Sequence, residues 1–240
     1  MKMFILNGIF LLFLADYTRS SVLPVDKCKL ENSACMITAF QNAMPVFFSG
    51  LPEIGVEVLD VMELDYVEFD ISGLKFTLSD GRLKGHKNAT IDDVKWDTEK
   101  RRFDVIYHLD SSIKGHYTAG GSILVLPITG DGQMKLKLKN MQIHFYIEYD
   151  VEKAEDGKDH IVLKKYDFDF DVRENAHFEL SNLFNGNKEL SKIIHSFLNE
   201  NWKQVVTEFG RPIMDATAKK FFKNINIFFE KNSLEDIAIL

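Results

Sequence analysis

Alternating apolar and polar residues are the main feature of residues 56–172. The segment QMKLKLK at 133–139 places its apolar residues on one parity and its lysines on the other. Similar alternation occurs at 67–71, 103–109 and 166–172. Because successive side chains of a strand point to opposite faces, each segment predicts a strand with one apolar and one solvated face. Together they predict an antiparallel sheet with one buried face.

Glycine-containing turns predict where some of these strands reverse. The sequence SDGR at 79–82 is typical of a hairpin turn. The sequence GDG at 130–132 is expected to form a three-residue hairpin loop. That loop would place apolar residues opposite each other in the pairs Ile128–Met134, Leu126–Leu136 and Leu124–Leu138.

A two-residue turn at Asp156-Gly157 predicts a further hairpin. It would pair apolar with apolar residues on one face, as Ile147–Tyr166, Phe145–Phe168 and Ile143–Phe170. On the other face it would pair Glu148–Lys165 and His144–Asp169. Such agreement on both faces is what fixes the register of a half-buried sheet. The apolar parity changes between Leu138 and Met141, which predicts a bulge near Asn140.

The C-terminal part of the chain changes to a helical period. From Lys188 onward apolar residues recur at helical spacing and cover about half of the helix circumference. Gly210 and Pro212 interrupt this pattern, which then resumes. So broad an apolar face suits a helix wrapped by a curved sheet. We expect an α+β fold in which residues 21–240 form one continuous domain.

The two cysteines, Cys28 and Cys35, lie at the start of a second helical segment. The sequence NSACMITAFQNAM favours a short helix, capped by Asn32 or Ser33 and ended or kinked at Pro45. In an oxidising compartment an even, closely spaced pair of cysteines favours a disulfide. Two free buried thiols are the alternative.

Residues 1–20 have the pattern of a secretory signal peptide. A basic residue precedes an apolar run at 4–14, and Thr18 and Ser20 supply small residues before a cleavage site after Ser20. A membrane anchor is the alternative, but the run is shorter than the roughly 20 residues that span a bilayer. We therefore expect a secreted, extracellular protein. Asn88 begins an N-glycosylation sequon.

The sequence shows no catalytic or metal-binding motif. The seven histidines are scattered, and GGSIL lacks the last glycine of a nucleophile elbow. DFDFDV has Val172 where a calcium loop needs glycine. The net charge of −7 argues against nucleic acid and an anionic membrane surface as partners. We expect no metal, no cofactor, no enzymatic activity and no stable membrane insertion.

Phenylalanine is abundant, with 20 residues in the chain. Most lie on the inward parity of the strands or on the helical segments. The simpler account, which the pattern alone favours, is that they fill a core. The alternative is that a curved sheet around a helix leaves an apolar seam that takes a ligand.

Several segments resemble a known family. The close cysteine pair, GLPEIGVEVLDVMELD at 50–65, IKGHYTAGGSILVLPITGDGQMKLKL at 113–138 and NWKQ at 201–204 are similar to the insect takeout and juvenile-hormone-binding protein family. The resemblance covers essentially the whole mature chain, and Gly115–Leu138 is its most specific part. The hormone-binding branch carries a second disulfide, whereas this chain has no further cysteine. The resemblance therefore favours the takeout branch.

The resemblance implies a fold and a function. The fold is a long C-terminal helix wrapped in a strongly curved antiparallel sheet, which together enclose a hydrophobic tunnel. The function is secreted transport of a hydrophobic small molecule, a long-chain lipid or a terpenoid that includes juvenile-hormone-like compounds. The alternative is a signalling factor linked to feeding, chemosensation or daily rhythm, which acts through its outer surface on a cell-surface receptor. We expect a monomer.

The expected tunnel wall consists of inward-facing strand and helix residues. They are Phe40, Phe47, Phe76, Leu124, Leu126, Leu136, Leu138, Ile143, Phe145, Ile147, Phe168, Phe170, Ile194, Phe197, Val205 and Phe209.

Overall fold

The computed structural model describes Leu23 and residues 26–239. The predicted signal segment, residues 1–20, lies outside the described residues. The strands are β1 (Cys28–Lys29), β2 (Met62–Ile71), β3 (Leu74–Lys84), β4 (Thr90–Asp97), β5 (Arg102–Ile123), β6 (Leu126–Lys153), β7 (Asp159–Leu180) and β8 (Ala238–Ile239). The helices are α1 (Ser33–Phe47), α2 (Lys188–Glu200), α3 (Trp202–Phe209), α4 (Arg211–Lys231) and α5 (Leu234–Ile237).

Six of the described strands form one antiparallel sheet. Its strand order is β2-β3-β5-β6-β7, and β4 pairs with the first part of β5. Helix α4 contacts both β7 and β2, which are the two ends of that order, while α2 and α3 contact β7. A single helix reaches both edges only because the sheet curls around it. The predicted α+β fold, a curved antiparallel sheet around C-terminal helices, is confirmed.

The register predicted for the hairpin of β6 and β7 is confirmed. Phe145 lies opposite Phe168, and His144 lies opposite Asp169. The turn itself is longer than predicted, because the ladder ends at the pair Lys153–Asp159. A register shift near Lys164 compensates for the longer turn. The bulge predicted near Asn140 is also present, between Lys139 and Met141.

The hairpin predicted at 130–132 is wrong. Strand β6 runs straight through these residues, and Gly130 pairs with Ala119 of β5. The predicted pairs Ile128–Met134, Leu126–Leu136 and Leu124–Leu138 therefore do not form. A Cβ at Gly130 would lie 2.4 Å from the Tyr117 hydroxyl oxygen, and one at Gly132 would lie 2.5 Å from the Ser181 carbonyl oxygen. These glycines allow close packing within the sheet rather than a turn.

The hairpin predicted at 79–82 is wrong for a related reason. Strand β3 continues through these residues with a register shift between Ser79 and Arg82. The strands β2 and β3 are instead joined at Ser72-Gly73, where both residues have positive φ angles. That backbone geometry is the one that two-residue hairpins favour.

The C-terminal helical region consists of three successive helices rather than one. Asn201 ends α2, and Gly210 separates α3 from α4. The Gly210 N–H still donates to the Val206 carbonyl at 2.9 Å, so the chain bends there without leaving the helical path. Near the N-terminus, Asn32 caps α1 as predicted, whereas Pro45 does not end that helix, which continues to Phe47.

The disulfide between Cys28 and Cys35 is present, as predicted, with 5.8 Å between the Cα atoms. It connects β1 to the first turn of α1. Strand β1 also pairs in parallel with β8, where Cys28 lies opposite Ala238. This pairing joins the two ends of the described chain. Asn88 lies exposed in a short 3₁₀ turn, and its glycosylation stays a prediction.

Candidate functional site

Two apolar cavities lie between the sheet and the helices. Cavity 1 has a volume of about 150 Å³ and is bounded by α1, α4 and strands β4, β5 and β6. Cavity 2 has a volume of about 80 Å³ and lies nearer the β2–β3 and β5–β6 turns, against α2, α3 and the start of α4. These two cavities form the candidate ligand site, and a continuous tunnel stays a prediction.

Aromatic rings from the helices form one wall of cavity 1. Phe221 of α4 stacks on Phe48 with 5.4 Å between ring centroids, and Phe47 meets Phe221 edge to face at 6.2 Å. Phe228, two helical turns further along the same face of α4, meets Phe47 at 6.1 Å. Side chains at i and i+7 of a helix share one face, which explains why α4 can present both rings to the cavity.

The opposite wall of cavity 1 comes from the sheet. Trp96 of β4 stacks on Phe103 of β5 with 4.4 Å between centroids. The Trp96 Nε1–H donates to the Tyr149 hydroxyl oxygen at 2.6 Å, so this buried indole is satisfied. Burial raises the pKa of Tyr149. Tyr107 of β5 also lines the cavity and is 3% exposed, and burial raises the pKa of its hydroxyl.

Cavity 2 is lined by apolar side chains of the strands β2, β3, β5, β6 and β7 and of the helices α2, α3 and α4. Phe76 of β3 and Phe178 of β7 lie on the sheet side, and Phe209 of α3 lies on the helix side. Gly210 belongs to this wall, and a Cβ there would lie 3.1 Å from the Phe170 ring. The absence of a side chain at Gly210 lets α3 and α4 approach Phe170 closely.

Fully buried side chains separate the two cavities. On β6, Leu138 lines cavity 2 and Phe145 lines cavity 1. The inward residues between them, Met141 and Ile143, are each 1% exposed. Leu109 on the neighbouring strand β5 is likewise buried. This divide coincides with the bulges of β5 and β6, at 109–111 and 139–141.

Of the sixteen predicted wall residues, some line cavity 1, some line cavity 2 and the others line neither cavity. Those that line cavity 1 are Phe40, Phe47, Phe145 and Ile147. Those that line cavity 2 are Phe76, Leu136, Leu138, Phe170, Val205 and Phe209. Those that line neither cavity are Leu124, Leu126, Ile143, Phe168, Ile194 and Phe197.

The residues that line neither cavity differ in environment. Ile143, Phe168 and Ile194 are buried within the packed core. Leu124 lies at the β5–β6 turn, where its φ is 54°, and Leu126 follows that turn. Alternation correctly places inward residues on the inner face, but it does not distinguish a filled position from one beside an empty space.

The sequence-based list missed much of the helical and β4 contribution. Phe221, Phe228 and Phe229 of α4, together with Trp96 and Phe103, line cavity 1. A signal for the α4 residues was present, because FFKNINIFF repeats aromatic residues at helical spacing. Which face of α4 meets the sheet depends on the bend at 210, which periodicity does not define.

Charged groups lie mainly outside the cavity walls. Of the described residues that line cavity 1, Asp26 alone carries a carboxylate, and this residue is exposed. His86 is buried beside this region and stacks on Phe48 with 5.4 Å between centroids. Burial lowers the pKa of His86 to about 4, so the ring is neutral near pH 7. Among the described residues, no three His, Cys, Asp or Glu side chains come together as metal ligands.

No described helix is long and apolar enough to cross a membrane.

Comparisons with known proteins agree on one family. The model of the haemolymph juvenile hormone binding protein (JHBP) family matches residues 9–239. The circadian clock-controlled protein daywake is 28% identical in Drosophila melanogaster and 27% in Drosophila yakuba, each over 82% of this chain and 80% of the relative. The crystal structure of Epiphyas postvittana Takeout 1 is 60% identical, covers 90% of this chain and 100% of its own, and superposes with a TM-score of 0.89. The chain belongs to the takeout/juvenile hormone binding protein family.

Proposed function

We propose that this protein is a secreted carrier of a hydrophobic small molecule, a long-chain lipid or a terpenoid. The observation that carries the proposal is the pair of apolar cavities between the curled sheet and the helices. Each CH₂ group moved from water into such a space gains about 0.8 kcal/mol. A long apolar chain therefore binds well with few polar contacts.

The cavity volumes imply that the ligand widens its own site. Ligand sites usually measure about 300–1,000 Å³, and an apolar cavity of about 150 Å³ accepts a molecule the size of benzene. Cavity 1 alone is of that smaller size. A longer ligand would displace Met141 and Ile143 and join the two cavities into the predicted tunnel. Met141 suits this role because methionine is unbranched and adaptable.

Secretion is supported by the disulfide and by the family. A disulfide between Cys28 and Cys35 persists in an oxidising compartment. The family is named for a haemolymph protein that binds juvenile hormone. The relatives called daywake are clock-controlled, which connects the carrier to daily regulation. We propose a monomer without stable membrane insertion.

Extraction of the purified protein with organic solvent, followed by mass spectrometry, tests the carrier function. We expect an apolar molecule bound in near-stoichiometric amount, and displacement of a fluorescent fatty acid by terpenoid esters. Recovery of no apolar molecule, together with no binding of the fluorescent fatty acid, would remove the proposal. Juvenile hormone itself should be included among the competitors, since it separates the hormone-binding from the lipid-binding alternative.

A second candidate function is signalling through the outer surface. Lys114 of β5 lies directly opposite Lys135 of β6 and next to Arg82 of β3. Like charges that face each other across a sheet destabilise it. Glu179 offsets part of this charge, because its carboxylate lies 3.1 Å from the Lys135 ammonium. Arg82, Lys114 and Lys135 thus form a cationic patch on a chain with net charge −7. Such a patch would suit an acidic receptor surface.

The double variant Lys114→Glu/Lys135→Glu tests this candidate against the carrier. Signalling through the patch predicts that labelled protein loses cell-surface binding while it retains bound apolar ligand. The matched control is Lys95→Glu, which reverses an exposed lysine on β4 outside the patch. Equal cell binding by all three proteins would contradict the candidate.

A further inference from the structure

The Tyr107 hydroxyl is an unpaired polar group beside cavity 1. Its side chain lines the cavity and is 3% exposed. Among the described residues it has no hydrogen-bond partner. A buried hydroxyl without a partner costs free energy, so native structures rarely keep one without a reason.

Other buried tyrosines near the core are paired. The Tyr117 hydroxyl donates to the Ser181 carbonyl oxygen at 2.8 Å. The Tyr149 hydroxyl oxygen accepts from the Trp96 Nε1–H at 2.6 Å. Tyr107 differs from both, because its side chain lines cavity 1 and its hydroxyl forms no hydrogen bond with another described residue.

We propose that the Tyr107 hydroxyl anchors the ligand by donating a hydrogen bond to a neutral acceptor, such as a ketone or ester carbonyl. This inference rests on the proposed carrier function and specifies its ligand class. The ligand would be an apolar chain or ring system with a single carbonyl group at the level of Tyr107. A plain hydrocarbon would leave the hydroxyl unpaired.

The surroundings favour a neutral acceptor over a carboxylate. Among the described residues, the cavity wall holds no Lys, Arg or His side chain, and its one charged group, Asp26, is itself an acid. A buried carboxylate without a cationic partner is costly. The raised pKa keeps the Tyr107 hydroxyl protonated across the physiological range, so it remains a donor.

The test compares three ligands of similar size. Methyl laurate carries a carbonyl, tridecanoic acid is its isomer with an ionisable group, and pentadecane has the same number of heavy atoms without a polar group. Their affinities are measured by displacement of a fluorescent naphthylamine probe from the full-length mature protein. We expect the ester to bind more tightly than the other two.

The variant Tyr107→Phe removes only the hydroxyl. We expect it to lower affinity for methyl laurate by about tenfold, the usual effect of one lost hydrogen bond, and to change affinity for pentadecane by less than about twofold. The melting temperature of the ligand-free protein should be unchanged or higher, because no hydrogen bond is lost.

The variant Tyr117→Phe is the matched control. It removes a hydroxyl that is bonded to Ser181, so it should lower the melting temperature and leave the preference for the ester intact. If Tyr107→Phe lowers ester and alkane affinity equally, or changes neither, the anchor is overturned while the carrier function stands. If none of the three ligands displaces the probe from the wild type, both are overturned.

Discussion

The rings of Phe145 on β6 and Phe221 on α4 meet edge to face, with 5.3 Å between their centroids. Both residues line cavity 1. The contact joins the middle of the sheet to the longest helix at the edge of an empty space. The ring of Phe145 therefore packs against Phe221 and also borders the cavity.

Replacing Phe145 with alanine should affect both properties. Loss of a buried phenylalanine usually costs about 3–5 kcal/mol. We expect a value near the lower end, because part of the ring faces the cavity rather than protein. Affinity of the folded protein for a fluorescent fatty acid should fall by at least about tenfold. Urea unfolding and probe titration measure the two effects.

Phe168→Ala is the comparison that separates these effects. Phe168 is 2% exposed and lies 5.7 Å from Phe145, but it lines neither cavity. The Phe168→Ala protein should lose a similar free energy of unfolding and keep the ligand affinity of the wild type. Tyr146 on the outer face is a poorer control, because it is only partly buried and its hydroxyl donates to Asp169 at 3.0 Å. Equal affinity losses in Phe145→Ala and Phe168→Ala would show that the cavity wall has no special role.

The divide between the cavities gives a prediction about ligand length. Met141→Ala removes a side chain that is 1% exposed and lies between the two cavities on β6. It should destabilise the protein by about 2–5 kcal/mol. It should also shift the preference towards longer chains, because the cavities would join without displacement of a side chain. A series of fatty acid methyl esters of increasing length measures the preference.

Leu183→Ala provides the control for Met141→Ala. Leu183 is fully buried and lines neither cavity. The Leu183→Ala variant should have a lower free energy of unfolding and an unchanged preference for ligand chain length. If Met141→Ala leaves the preference unchanged, the ligand does not pass through the divide.

His86 gives a prediction about pH. Its pKa is about 4 in the folded protein, lowered from 6.5 by burial, while the charge of Asp60 acts in the opposite direction. The unfolded chain therefore binds a proton that the folded chain does not between these two values. The stability contributed by the neutral ring is fully present above pH 6.5 and is lost as the pH falls towards 4. Between pH 6.5 and 4 the free energy of unfolding should therefore fall by about 3 kcal/mol through this group.

The variant His86→Phe keeps a ring against Phe48 and removes the titration. Its free energy of unfolding should fall less than that of the wild type between pH 7 and 4.5, measured by urea unfolding at both values. Other carboxylates titrate in both proteins and cancel in the difference. Parallel pH dependence of the two proteins would mean that His86 is protonated in the fold without cost.

The register of the β6–β7 hairpin was predictable, whereas that of β5 and β6 was not. At Asp156-Gly157 the turn signal and the pairing of both faces agree, and the pairing is as predicted. Gly130 also resembles a turn residue, but here glycine is needed because the Tyr117 hydroxyl approaches the backbone closely. The true β5–β6 turn has Leu124 at φ 54° and Val125 beside it. Neither residue type favours a turn, so the sequence offered no signal there.

The residues of the candidate site were also only partly predictable from the sequence. Periodicity identifies inward residues such as Phe145 and Phe209, and both line a cavity. It does not identify Tyr107 as distinct from its inward neighbours Val105 and Leu109. That distinction depends on whether a hydroxyl finds a partner, which only the packed structure defines.

The disulfide between Cys28 and Cys35 should stabilise the end of the molecule that closes cavity 1. The cavity is lined there by Leu30, two residues after Cys28, and by Ile237, next to Ala238. Cys28 and Ala238 pair between β1 and β8, so loss of the bond should loosen both chain ends. For so short a loop, we expect the double variant Cys28→Ser/Cys35→Ser to lose about 2–3 kcal/mol. Amide exchange at Cys28 and Ala238 should accelerate more than exchange in β6, and a bound fluorescent fatty acid should dissociate faster. Uniform acceleration, with unchanged dissociation, would mean that the disulfide stabilises the whole fold but does not close the cavity.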